Sequence, residues 1–137
     1  MKYLSDYMNE AQTELFNNTG AFFAFGNTQF DEQKKNGVKY AHLGAGLICP
    51  VENIEQIITG LKTIIENAIR QDVSENGAEK IIEREYFNYE SQISMSTEEA
   101  KSALTDYKKL FPELFTDEII KNTFRNCFSL AVKNDWF

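Results

Sequence analysis

Most of the side chains in this sequence that could do chemistry are carboxylates. Between Asp72 and Glu99 stand eight acidic residues, Asp72, Glu75, Glu79, Glu83, Glu85, Glu90, Glu98 and Glu99, against Lys80 and Arg84 alone. That span accounts for six of the seven net negative charges of the chain. Projected on one helix at 100° per residue, Asp72, Glu75, Glu79, Glu83 and Glu90 fall in one narrow sector. Like charges at three- and four-residue intervals cost roughly 0.2–0.5 kcal/mol per pair, and a soluble helix normally intersperses lysine. Such a run is either a solvated face or an acidic ridge that meets a partner's cations, with Phe87 as a neighbouring aromatic contact.

Glu85 projects elsewhere, between Ile81 and Ile82 on the apolar side. A carboxylate there must find a partner, reach the surface or shift its pKa upward. With Asn88 and Glu90 it outlines a candidate pocket, to which His42 is added as the only histidine of the chain. His42 and Cys49 could also form a nucleophile and base on adjacent strand ends, although spacing alone supplies no hydrogen bond between them. Structural zinc draws four ligands from Cys and His, and the chain has three such side chains, so no metal is expected. Gly44-Ala45-Gly46 resembles the start of a dinucleotide loop, but Cys49 stands where a third glycine belongs and no Walker lysine follows. No cofactor is expected, and a hairpin turn is the stronger account of the two glycines.

Composition narrows the class further. The net charge of -7 makes the protein a poor binder of nucleic acid itself, because phosphate affinity needs clustered Lys and Arg. Two cysteines 78 positions apart match no metal spacing and read as buried free thiols in a reducing, cytoplasmic setting. No apolar run approaches the ~18 residues of a membrane span, and Met1 is followed by a polar stretch rather than an export signal.

The elements that must position these residues follow from periodicity. Leu4, Met8, Ala11 and Leu15 share one face of a helix from about Leu4 to Phe16. Ala21 to Phe25 reads as a core strand buried on both faces, and Thr28 can cap a short exposed helix reaching Lys34. Val38 to Leu43 and Leu47 to Cys49 read as a hairpin. Pro50 opens a long helix whose apolar stripe includes Ile54, Ile57, Ile58, Leu61, Ile65 and Ile69. Ser74 is placed as the cap of the next helix, which carries Ile81, Ile82 and Tyr86 and fades near Ser91. Ser96 and Glu99 make a capping box for a helix through Tyr107; Pro112 ends that segment, and Thr116 caps a last helix through Ala131. The expectation is a single α+β domain over residues 1–137, helix-rich, with about five helices and a small two- or three-stranded antiparallel sheet in the N-terminal third.

Certain stretches carry a family likeness. Gly20-Ala21-Phe22-Phe23-Ala24-Phe25 with Gln29-Phe30, Leu43 to Pro50 with Glu52-Asn53, Asn67-Ala68-Ile69 and Asn88-Tyr89-Glu90 together resemble a family of small uncharacterised proteins carried by phages and mobile elements, over roughly residues 4 to 125. In that family's pattern the last triplet is often Asn-His-Glu; Tyr89 departs from it, which weakens a proton-transfer or metal role. The resemblance implies a genomic setting and no reaction. Joined to the acidic ridge, it gives as leading expectation a non-enzymatic, cytoplasmic inhibitor that docks Asp72, Glu75, Glu79, Glu83, Glu90 and Phe87 on a basic, nucleic-acid-processing host protein, as an anti-CRISPR or other anti-defence protein would. A small-ligand binder or hydrolase using Glu85, Asn88, Glu90 and His42 is the alternative from another class. A virion or assembly component is the third, and self-association into a homodimer stays open.

Overall fold

A computed structural model describes residues 1–137. It is helix-rich α+β, with eight α-helices and a three-stranded antiparallel sheet in the N-terminal part. The contacts gather into two compact units, Ser5–Asn67 and Met1–Leu4 with Ala68–Phe137.

The first unit holds most of α1 (Leu4–Thr19), β1 (Phe22–Phe23), α2 (Asn27–Gln33), β2 (Tyr40–Gly44), β3 (Leu47–Pro50) and the first part of α3 (Ile54–Asn76). The sheet runs in the order β1-β3-β2, all antiparallel, with Phe22 opposite Ile48 and His42 opposite Ile48 on the other side. Because side chains alternate along a strand, one face of β3 presents Leu47 and Cys49 and the other Ile48. Leu47, Cys49, Ala21 and Ile57 form a buried cluster closed by Leu15, Phe16, Leu43 and Leu61. On the opposite face the rings of Phe22, Phe30, Tyr40 and His42 pack together in T-shaped and tilted pairs, with centroids 5.5–6.3 Å apart. Asn53 Nδ2, just ahead of the long helix, donates to the Thr19 carbonyl (2.8 Å) and ties that helix to the end of α1.

The hairpin expected at Gly44-Ala45-Gly46 is present, with a register irregularity between His42 and Gly44. Ala45 (φ 51°) and Gly46 (φ 80°) both take positive φ, the backbone that a two-residue turn needs to match the strand twist. A Cβ on Gly46 would overlap ring carbons of Phe25, so the glycine is required twice, for its dihedral and for the ring that covers it. The expected core strand Ala21 to Phe25 shrinks to two residues. Phe25 is 75% exposed and Phe23 stacks beside it, because pairing with β3 ends at the hairpin turn. The short helix begins after Gly26 rather than at a Thr28 cap; Gln29 Oε1 accepts the Phe25 N–H (2.7 Å) and closes that turn instead.

The second unit holds the end of α3, α4 (Ala78–Asn88), the one-turn α5 (Ser91–Ser94), α6 (Glu98–Ala103), α7 (Thr105–Leu110) and α8 (Asp117–Asn134). Its buried side chains include Ile69, Ile81, Ile82, Tyr86, Leu104, Tyr107, Phe115, Phe124 and Cys127. α4 packs on α8, and the Tyr86 and Phe124 rings meet at 5.3 Å. Thr116 caps α8 as expected, accepting the Ile119 N–H at 3.1 Å. Three boundaries differ from the sequence reading. α3 continues through Ser74 to Asn76 and breaks at Gly77 (φ 79°), so Ser74 caps nothing. Thr97, not Ser96, precedes α6, and no side chain caps it. The helix through Tyr107 is divided at Leu104 (ψ -1°), which raises the helix count above five.

Replacing Gly46 by Ala should lower unfolding stability by roughly 1–3 kcal/mol in urea titration, from dihedral strain plus overlap with Phe25. Adding Phe25→Ala should recover the overlap and leave the dihedral part. A neutral Gly46→Ala would contradict this account of the turn.

Candidate functional site

The most densely connected polar group in the second unit is one that packing had to accommodate inside it. Arg84 is buried on α4, and its guanidinium holds four partners. Its Nε donates to Glu85 Oε1 (2.8 Å), Nη1 reaches Asp72 Oδ2 (3.0 Å) and the carbonyl of Lys2 (3.0 Å), and Nη2 donates to Tyr107 Oη (3.2 Å). Tyr107 in turn donates its hydroxyl hydrogen bond to Asp72 Oδ2 (2.5 Å). Asn76 Nδ2 donates to Asp72 Oδ1 (2.7 Å), and the Tyr3 ring lies 5.8 Å from the guanidinium carbon. The break at Gly77 makes this possible. It lets the end of α3 and the start of α4 fold back so that residues twelve apart touch.

Electrostatics fix the protonation of the cluster. Burial alone would lower the pKa of Arg84, but the hydrogen bonds with Tyr107 and Glu85 and the field of Asp72 outweigh it, and the guanidinium is held above its ordinary value. Burial, then the bond to Asp72, pushes the Tyr107 phenol up, so it keeps its proton. A permanently charged arginine and a firmly neutral tyrosine do no proton transfer near neutrality. The cluster acts as a fixed electrostatic clamp.

The acidic ridge is corrected by this geometry. Asp72 is fully buried against Arg84 and Tyr107 and cannot face a partner. The Gly77 break removes the single helix on which the five carboxylates were aligned: Asp72 and Glu75 belong to α3, Glu79 and Glu83 to α4, and Glu90 sits at φ 51° between α4 and α5. Glu75, Glu79 and Glu90 are exposed and Glu83 is half-buried. Gln71 Nε2 donates to Glu75 (3.3 Å). Glu79 and Glu83 lie close enough to Cys127 on α8 that, after burial, their fields help push its thiol up to about 12. Phe87 is half-buried between Tyr86 (5.2 Å) and Trp136 (5.7 Å).

The alternative pocket is not assembled as the sequence suggested. Glu85 resolves its burial by finding a partner, Arg84, and points into the clamp. Asn88 and Glu90 are exposed at the end of α4, while His42 lies on β2 in the other unit, beside Phe30. The His42 and Cys49 pair also fails on register. Cys49 lies opposite Ala41, so the pleat turns its buried thiol to the face away from His42. No group of three or more His, Cys, Asp or Glu is placed to hold a metal ion. Sequence reasoning missed Arg84 and Tyr107 as members of a site. The available signal was the Asn76-Gly77 pair, a turn dipeptide that folds position 72 toward position 84.

Just past the C-terminal end of α4, several large apolar side chains remain in solvent. Ile93 (54%) on α5, Met95 (71%) just past it, and Trp136 (47%) and Phe137 (60%) after α8 are exposed, with Tyr89 just ahead of α5 in sequence. α5 touches both α4 and α8, and Gln92 Nε2 donates to the Trp136 carbonyl (3.4 Å). Beneath them Ser91 Oγ and Gln92 Oε1 are buried without hydrogen-bond partners.

Fold and clamp together define a helix-rich α+β protein with an internal arginine-centred charge cluster. The chain belongs to DUF7659, a family of unknown function, which matches residues 4–129. No curated protein and no solved structure matches it. No helix is long and apolar enough to cross a membrane.

Removing the cation should be costly. Arg84→Met leaves Asp72 and Glu85 buried without their counter-charge and should destabilise by about 3–5 kcal/mol at neutral pH. Urea unfolding of the variant beside the parent should show that deficit; a neutral substitution would contradict the clamp. For Cys127 the folded pKa of about 12 against 9.0 gives a contribution present below pH 9 and lost as pH rises from there towards 12. Cys127→Ala should accordingly lose less stability than the parent between about pH 8 and about pH 10.5.

Proposed function

We propose that the protein works by docking on another protein: a basic, nucleic-acid-handling component of a bacterial host's cytoplasm, which it inhibits as an anti-CRISPR or other anti-defence protein of a phage or mobile element would. The observation that carries this reading is the exposed corner of the second unit. Ile93, Met95 and Trp136 supply apolar and aromatic surface of the kind that centres protein interfaces. The carboxylates of Glu79, Glu83 and Glu90 on and after α4 take part in no ion pair, and a basic partner would supply the missing cations. The reading is narrower than the ridge inferred from sequence, since Asp72 is excluded and the apolar corner becomes the centre. The net charge of -7 favours a protein partner over nucleic acid.

Expression in cells whose defence systems clear a target plasmid should restore plasmid survival. Reversing Glu79, Glu83 and Glu90 to Lys, or replacing Ile93 and Met95 by Asp, should reduce that restoration by roughly tenfold or more, the loss of about 1.4 kcal/mol in affinity. Thermal unfolding of the variants should stay near that of the parent, since all but Glu83 are exposed. Undiminished inhibition by both variants would remove this corner from the mechanism, and absence of inhibition by the parent against every system tried would remove the class.

A further inference from the structure

Away from that corner, α6, α7 and the first half of α8 enclose a cleft of about 620 Å³, within the size range of small-ligand sites. Its charge runs against that of the chain. Lys101, Lys108 and Lys121 line it, and Asp117 is the only carboxylate among the lining residues, so the cleft carries two net positive charges in a protein with seven net negative ones. Lys108 pairs with Asp117, whose carboxyl is held below its usual range by that bond and by the fields of Lys108 and Lys101. Lys101 and Lys121 enter no ion pair, although acidic residues outnumber basic ones 21 to 14 in the sequence. The floor is apolar: Leu104, Ile120 and Phe124 are buried there. Thr97 and Thr105 also line the cleft, and their hydroxyls can serve as further donors.

We propose that this cleft binds a phosphomonoester of about mononucleotide size, its phosphate between Lys101 and Lys121 and its apolar or aromatic body on Leu104, Ile120 and Phe124. Phosphate fits better than carboxylate for two reasons. The cations are lysines, point charges without the planar fork that suits bidentate carboxylate, and a phosphomonoester brings nearly two negative charges and three acceptor oxygens to a site with two surplus cations and several donors. The first turn of the 18-residue α8 adds the positive end of its dipole beside the same site. The cleft shares no residue with the corner proposed for docking, so either can fail without the other.

Calorimetric titration of the full chain with AMP and with phenyl phosphate tests this, with adenosine and inorganic phosphate as the body and the anion alone. At least one ester should bind roughly tenfold or more tightly than either fragment, and Lys101→Ala with Lys121→Ala should remove that advantage. Lys109→Ala, whose ammonium lies near Asp106 outside the cleft, should leave ester binding unchanged. An ester that binds no better than its fragments, or that keeps its affinity in the double variant while thermal unfolding is unaltered, would overturn the proposal.

Discussion

A charge that cannot leave is the constraint on which the second unit depends. Arg84 lies in the buried stripe of α4, and taking a guanidinium out of water costs several kcal/mol unless its donors are met. They are met by groups from four places in the chain: Glu85 beside it, Asp72 on α3, Tyr107 on α7 and the Lys2 carbonyl. Replacing the whole set, the cation together with both carboxylates, by apolar side chains of the same volume could give comparable stability. It would not fix direction. A planar fork with four occupied donors accepts one arrangement of its neighbours, whereas a greasy contact accepts many, so the clamp contributes registry among helices more than net energy.

In the first unit the corresponding constraint is the pleat. Alternation on β3 sends Leu47 and Cys49 into the buried cluster and Ile48 into the aromatic face, and a slip of one residue would exchange the two sets. The positive-φ turn at Ala45 and Gly46 sets that register, and the Phe25 ring over Gly46 limits what the turn can become.

How much of this was legible follows the range of the interactions involved. The long amphipathic helix, the hairpin on two glycines, the Thr116 cap and the stop before Pro112 are local signals, and each appears within a residue or a few of its expected place. The sequence also required Glu85 to find a partner if it was buried, but it could not name Arg84, because a partner at the next position on the helix depends on how both side chains bend into the interior. The acidic alignment failed at one residue. Treating residues 72 to 90 as continuous helix ignored Asn76-Gly77, and with the break the carboxylates separate and Asp72 turns inward. Charge patterning along a sequence is only as good as the helix assumed beneath it. The lysine cleft was illegible for a different reason: Lys101, Lys108 and Lys121 are scattered among acids along the chain and gather only when α6, α7 and α8 pack.

The indole of Trp136 is the only one in the chain, and it sits half in solvent against the edge of Phe87. Ultraviolet emission excited at the red edge therefore originates almost wholly from a single place, next to α5. Any molecule that covers that place will dry the ring and shift its emission to shorter wavelength, while an event confined to the sheet will leave that emission unchanged. The protein thus carries its own optical label, fixed where an encounter would be seen.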